Sequence, residues 1–244
     1  DLELDLFSSF IHWQPKLDRV TIQGLQADVS RWPLIPDENN KDTSSKEDNP
    51  ELFNNLQTLF LKQLGSFSVL DSSITYLALS GEIRQLDIDR LRWQNQGADH
   101  KAEGVLSIAG VNLNKVSVIA NFTEQGNLRY LDGDFFLSAQ NVRITPWMTD
   151  YLKSSTTIHS GRVSVNTWLS LKQGKPTDAL MELQSSRLLW GEKEDKHELL
   201  INRGVVKLKP MDKGWLVQGQ QFEMQTDGNP WIAPQFSFDW QPET

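Results

Sequence analysis

From Arg162 to Leu171 the chain changes side at every residue. Val163, Val165, Leu169 and Leu171 fall on one side of an extended strand, Arg162, Ser164, Asn166 and Ser170 on the other, and Trp168 interrupts the polar side. Only a β-strand repeats every second residue; a helix brings a face round again after about 3.6. Between Phe67 and Gly110 three more extended runs, Ser73–Leu79, Gln85–Trp93 and Ala102–Ile108, are each closed by a turn signal: Ser80-Gly81, Asn95-Gln96-Gly97 and Ala109-Gly110. Runs joined by such short turns read as antiparallel neighbours. The same pattern covers Leu17–Arg31 (broken at Gly24), Val116–Phe122, Leu131–Ile144, Asp178–Trp190, Leu199–Leu208, Trp215–Thr226 and Ile232–Trp240. Strands with one apolar face must cover it with a second sheet, with helices or with a ligand.

Three stretches predict helices. Leu4–Trp13 places Leu6, Phe7, Phe10 and Ile11 on one side before Pro15. Asn49-Pro50-Glu51 is a helix start, and Leu52, Phe53, Leu56, Leu59, Phe60 and Leu64 form one stripe that Gly65 ends. Thr145-Pro146 opens a third, with Trp147, Met148, Tyr151 and Leu152 on a face. Between them, residues 36–50 are acidic and carry no large apolar side chain, which predicts a mobile loop. The expected fold is mainly β with a minor α+β character: a long antiparallel sheet, twisted or curved into a groove or open sandwich, with two or three amphipathic helices packed on it. Residues 1–244 read as one such β domain, and a start at Asp1 suggests a processed protein or a piece of a longer one.

Chemistry is hard to find. A net charge of −8 disfavours nucleic acid or an anionic bilayer as direct partner. With no cysteine there is no thiol nucleophile or thiolate site, and His12, His100, His159 and His197 lack the short spacings of a metal site. Asp87 with Asp89, and Asp132 with Asp134, are acids spaced for one strand face; such pairs are usually solvated rather than catalytic. Phosphate-loop, dinucleotide and nucleophile-elbow motifs are missing. The expectation is a protein that is not an enzyme, with no catalytic residues, metal or cofactor. The nine Trp could build a platform for sugar rings, or simply fill cores and strand ends.

Residues 11–17 (IHWQPKL) and 20–29 (VTIQGLQADV) resemble the N-terminal region of AsmA-like envelope proteins. The resemblance continues through residues 64–69, 71–75, 91–97, 120–123 and 142–147, and from Trp231 to Pro242. It implies a periplasmic β-groove that carries phospholipid between inner and outer membranes and supports the outer-membrane barrier. The implied partners are phospholipid acyl chains, an inner membrane reached through an anchor upstream of Asp1, and neighbouring β-groove segments; nucleic acid is not among them. Under this reading Val163, Val165, Leu169 and Leu171 are the first candidates to face the groove, with Val116, Val118, Ala120 and Phe122 next. Two alternatives stay open. One is a scaffold whose apolar face is closed by the Asn49–Gly65 helix; the other is a carbohydrate-binding β domain with three or more coplanar Trp.

Overall fold

The computed structural model describes residues 2–5, 16–30, 58–77, 83–108, 115–124, 130–144, 158–191 and 196–241. They are almost entirely β and fall into two compact units, Asp1–Val111 and Asn112–Thr244.

In the first unit β1 (Leu2–Asp5) runs antiparallel to β2 (Lys16–Gln23). Both β2 and the short β3 (Gln26–Asp28) run parallel to β4 (Leu64–Leu77), and Gly24, at φ +70°, separates them. Then β5 (Ile83–Gln96) and β6 (Asp99–Ile108) follow β4 as an antiparallel meander. The sheet is therefore mixed rather than wholly antiparallel. The long connection between β3 and β4 permits this parallel pairing, since a tight turn can only join antiparallel neighbours.

The helices are the main correction. Leu4 and Asp5 belong to β1, where backbone pairing with Leu17 and Lys16 overrides the local stripe; residues 6–13 lie outside the described residues. Of the Asn49–Gly65 helix the described residues hold one wide π-type turn, Leu59–Gln63. Leu64 is already extended (φ −90°, ψ 124°) and pairs with Leu17, so Gly65 is a strand residue and not a helix stop. The 145–152 helix and the acidic 36–50 loop also lie outside the described residues. Two or three helices packed on a sheet are not what the described residues show.

That single turn nevertheless makes a core. Leu61 and Leu64 are 3% exposed, and Leu64 clusters with Phe67, Val69 and Ile88, against which Leu59, Phe60, Leu91 and Trp93 pack. Phe67 stacks on Trp93 with ring centroids 5.5 Å apart. A polar tie fastens the turn to the sheet. The Asn95 amide donates from Nδ2 to the carbonyls of Phe60 (2.6 Å) and Leu64 (2.7 Å), which leaves its Oδ1 as acceptor for Trp93 Nε1–H at 2.7 Å. His100 Nδ1 lies 2.6 Å from the same oxygen and so carries the proton there. The buried His100 is a structural link.

The second unit holds β7 (Lys115–Thr123), β8 (Asp132–Arg143), β9 (Ile158–Lys172), β10 (Lys175–Leu183), β11 (Ser186–Gly191), β12 (Lys196–Pro210), β13 (Trp215–Thr226) and β14 (Asn229–Trp240). Among the described residues they pair antiparallel, in the order β7-β8-β9-β10-β12-β13-β14. The run expected over Asp178–Trp190 is two strands, β10 and β11, which occupy consecutive stretches between β9 and β12. Two hairpins turn on two-residue loops with both residues in the left-handed region: Gln173-Gly174 (φ +51° and +70°) and Asp227-Gly228 (φ +50° and +77°). Their twist matches that of the strands they join.

Candidate functional site

Residues directly opposite each other on neighbouring strands put their side chains on the same side, so the registers assign the faces of the second unit. One row, from β7 to β14, reads Ala120, Phe135, Leu169, Ala179, Leu208, Val217, Phe238. The row two residues along reads Val118, Leu137, Thr167, Met181, Val206, Gly219, Phe236. Val116, Ala139, Val165 and Leu183 form a third, and Phe122, Gly133 and Leu171 a fourth. Apart from Thr167, these rows present no polar side chain across seven strands. All eight sequence candidates lie on this side, Val163 opposite Val142 beyond a bulge.

Bulges keep the face in phase. Asn141 (φ +54°) sits in the register shift between Ala139 and Val142, so that both apolar neighbours face the same side despite being three residues apart. Gln221 (φ +54°) sits in the register shift between β12 and β13, where Arg203 pairs with Glu223 but Val205 with Gln220. Polar residues fill the irregular positions because short polar side chains tolerate this conformation and solvate the freed backbone.

Aromatic rings flatten the surface. Phe236 lies over Gly219, and a Cβ at Gly204 would meet the Phe222 ring at 2.8 Å. Phe222, Phe236 and Phe238 run on in sequence, with centroids 5.2 Å and then 6.1 Å apart. Alternation alone does not reveal this pairing, because a glycine reads as a gap in one strand and its phenylalanine belongs to another.

Exposure separates this face from a closed core. The small Ala139, Ala179 and Val217 are buried by their neighbours, but Val116, Val118, Val165, Leu169 and Leu171 are half-buried, and Leu137, Phe238 and Trp240 are 38%, 51% and 53% exposed. The described elements of this unit are all strands of one sheet, so no second layer among the described residues covers them.

The opposite side is polar, with Asn121, Asp134, Ser170 and Asp178 in one row and Ser117, Ser138, Asn166 and Glu182 in another. Between them runs an apolar exception: Ile119, Phe136, Trp168, Leu180. Among the described residues the exposed Trp do not build a shared platform. Trp168 is on the polar side, and Trp231 and Trp240 stand nine residues apart on β14, about 30 Å at the rise of a strand.

The acids picked out by spacing have structural partners. Asp134 accepts from Ser170 Oγ (2.6 Å) and Asp132 from the Gln173 backbone N–H (2.5 Å) at the β9–β10 turn. Asp87 accepts from Gln85 Nε2 (2.7 Å) and, with Asp71 and Asp89, lines a polar cavity of about 260 Å³ in the first unit. His197 Nδ1 lies 2.8 Å from Asp227, whose carboxyl is held below its ordinary value by the Glu198 backbone N–H first and His197 second.

The sequence family described as YhdP protein matches residues 1–244. The chain belongs to the YhdP family. A relative from Escherichia coli (strain K12), the intermembrane phospholipid transporter YhdP, is 24% identical over 246 residues, which cover 99% of this chain and 18% of the relative. The chain thus spans less than a fifth of the length of that YhdP protein. No solved structure matches it. For a YhdP-family chain, the broad apolar face of the second unit is the surface to explain. No helix among the described residues is long and apolar enough to cross a membrane.

Proposed function

We propose that this chain is a section of an intermembrane phospholipid conduit, and that acyl chains lie against the apolar face of the second unit. The observation that carries the reading is the continuity of that face: one apolar row, and a second interrupted only by Thr167, run over seven strands while side chains such as Leu137 and Phe238 stay partly exposed. An acyl chain gains about 0.8 kcal/mol for each CH₂ it buries. A flat, uniform surface of aliphatic groups and ring faces supplies that gain at every position without fixing the chain at one, as movement along a surface demands. Such a role makes and breaks no bonds, and neither a metal nor a cofactor enters it. Family membership points the same way, and the setting it suggests is the periplasm of an envelope with two membranes, the parent protein being anchored in the inner one and continued by further β-groove segments. Support for the outer-membrane barrier would follow from the delivery of lipid.

Native mass spectrometry of the purified chain, with lipid extraction of the same sample, tests this. Phospholipid should co-purify at a fixed ratio and be lost in Leu169→Asp and Val165→Asp, each still folded by circular dichroism. A lipid-free, monodisperse wild type would sink the reading and leave the scaffold in its place.

A further inference from the structure

On the polar side of the second unit, Arg143 of β8 stands opposite Arg162 of β9, and Arg162 opposite Arg187 of β11. Neighbouring strands are about 5 Å apart, so three guanidiniums share one short row. All three residues are exposed. Like charges directly opposite one another on a sheet are destabilising, so this arrangement is not explained by folding. Glu198 of β12 accepts from Arg187 Nε at 2.5 Å. Arg143 has contacts of its own. The Arg162 side chain, between them, has neither a hydrogen-bond nor an ion-pair partner among the described residues.

We propose that the Arg143–Arg162–Arg187 row binds the phosphates of anionic phospholipid head groups and rests this side of the second unit on a bilayer surface. The chemistry selects phosphate over carboxylate. A planar carboxylate is satisfied by a single guanidinium, as Glu198 is by Arg187, whereas the oxygens of a tetrahedral phosphate can be shared between two adjacent forks. The exposure selects a surface over a small free anion. A row open to water on a sheet face encloses nothing, but a membrane offers many phosphates in one plane, and a linear row can engage several at once. The net charge of −8 does not oppose this, because at about 0.1 M salt each charge is felt over only about 10 Å and the local row decides. The row lies on the side away from the apolar face, so this inference and the lipid-carrying one can fail separately.

Co-sedimentation of the whole chain with vesicles is the test, comparing phosphatidylcholine alone with phosphatidylcholine containing phosphatidylglycerol. Binding should require phosphatidylglycerol and fall with added salt. Arg162→Gln should weaken it about five-fold, the usual worth of one basic side chain at an anionic surface. Glu198→Gln, which releases Arg187, should strengthen it. The urea midpoint of Arg162→Gln should equal or exceed that of the wild type, since two like-charge contacts are removed, so a weaker variant cannot be dismissed as unfolded. Equal binding to both vesicles, or an unchanged Arg162→Gln, overturns the proposal. So does stabilisation of the wild type, but not of Arg162→Gln, by inorganic phosphate without vesicle binding, which would assign the row to a free anion.

Discussion

In the first unit the apolar face of β4 and β5 lies under the Leu59–Gln63 turn, and Leu61, Leu64, Phe67, Val69 and Ile88 are 3–6% exposed. In the second unit a face of the same alternating make-up spreads over seven strands, and residues such as Leu137 and Phe238 remain 38% and 51% exposed. The strands do not differ in kind. One face meets a single helical turn held by the Asn95 amide, and the other meets no described element. A sheet buries its apolar side only when some other part of the chain is brought over it, so among the described residues the same sequence pattern gives a core in one place and a half-exposed face in the other.

The sharpest way to break this comparison is to truncate one large side chain in each unit. Phe67→Ala should cost about 3–5 kcal/mol, as for other enclosed aromatic residues. Leu169→Ala, on a half-buried face, should cost about 1 kcal/mol. Urea unfolding of the two variants against the wild type checks this, and equal losses would mean that the second face is as closed as the first.

A smaller effect is expected at the tie. Asn95→Ala leaves the Trp93 N–H, His100 Nδ1–H and two carbonyls without this partner in a buried setting, which should cost about 1–3 kcal/mol. If the melting temperature does not move, the helical turn is held by packing alone.

The smallest concerns the exposed counterpart in the second unit, where Asp227 joins the end of β13 to Glu198 and His197. Its carboxyl is held below the ordinary value, by the Glu198 backbone N–H first. A depressed carboxyl stabilises the fold above the unfolded carboxylate range, and that contribution is lost as pH falls through the folded value. Asp227→Asn should therefore be slightly less stable than the wild type at neutral pH, and the two should converge in acid. Parallel stability curves across that range would show that the contact contributes nothing.

The sides of β9 were legible because alternation is a local property. Val163, Val165, Leu169 and Leu171 share a face whatever surrounds them, and so do Val116, Val118, Ala120 and Phe122. The helical stripes misled where a strand competed: Leu4 and Leu64 fit a helix locally, but each is paired in a sheet with the same residue, Leu17. Phe236 over Gly219, and Arg162 between Arg143 and Arg187, join residues from separate strands, and one-dimensional spacing carries no trace of such neighbours.

By itself, then, the sequence determined that this is a β protein and which residues share a side of each strand, because a period of two is imposed by backbone geometry at each residue in turn. Only the tertiary structure decided that β2 and β3 run parallel to β4, that bulges at Asn141 and Gln221 keep the faces of the second unit in phase, and that one apolar face is covered while the other meets no described element. Those outcomes depend on contacts between residues far apart in the chain, where the gain from bringing surfaces together must exceed the entropy of closing the loop between them.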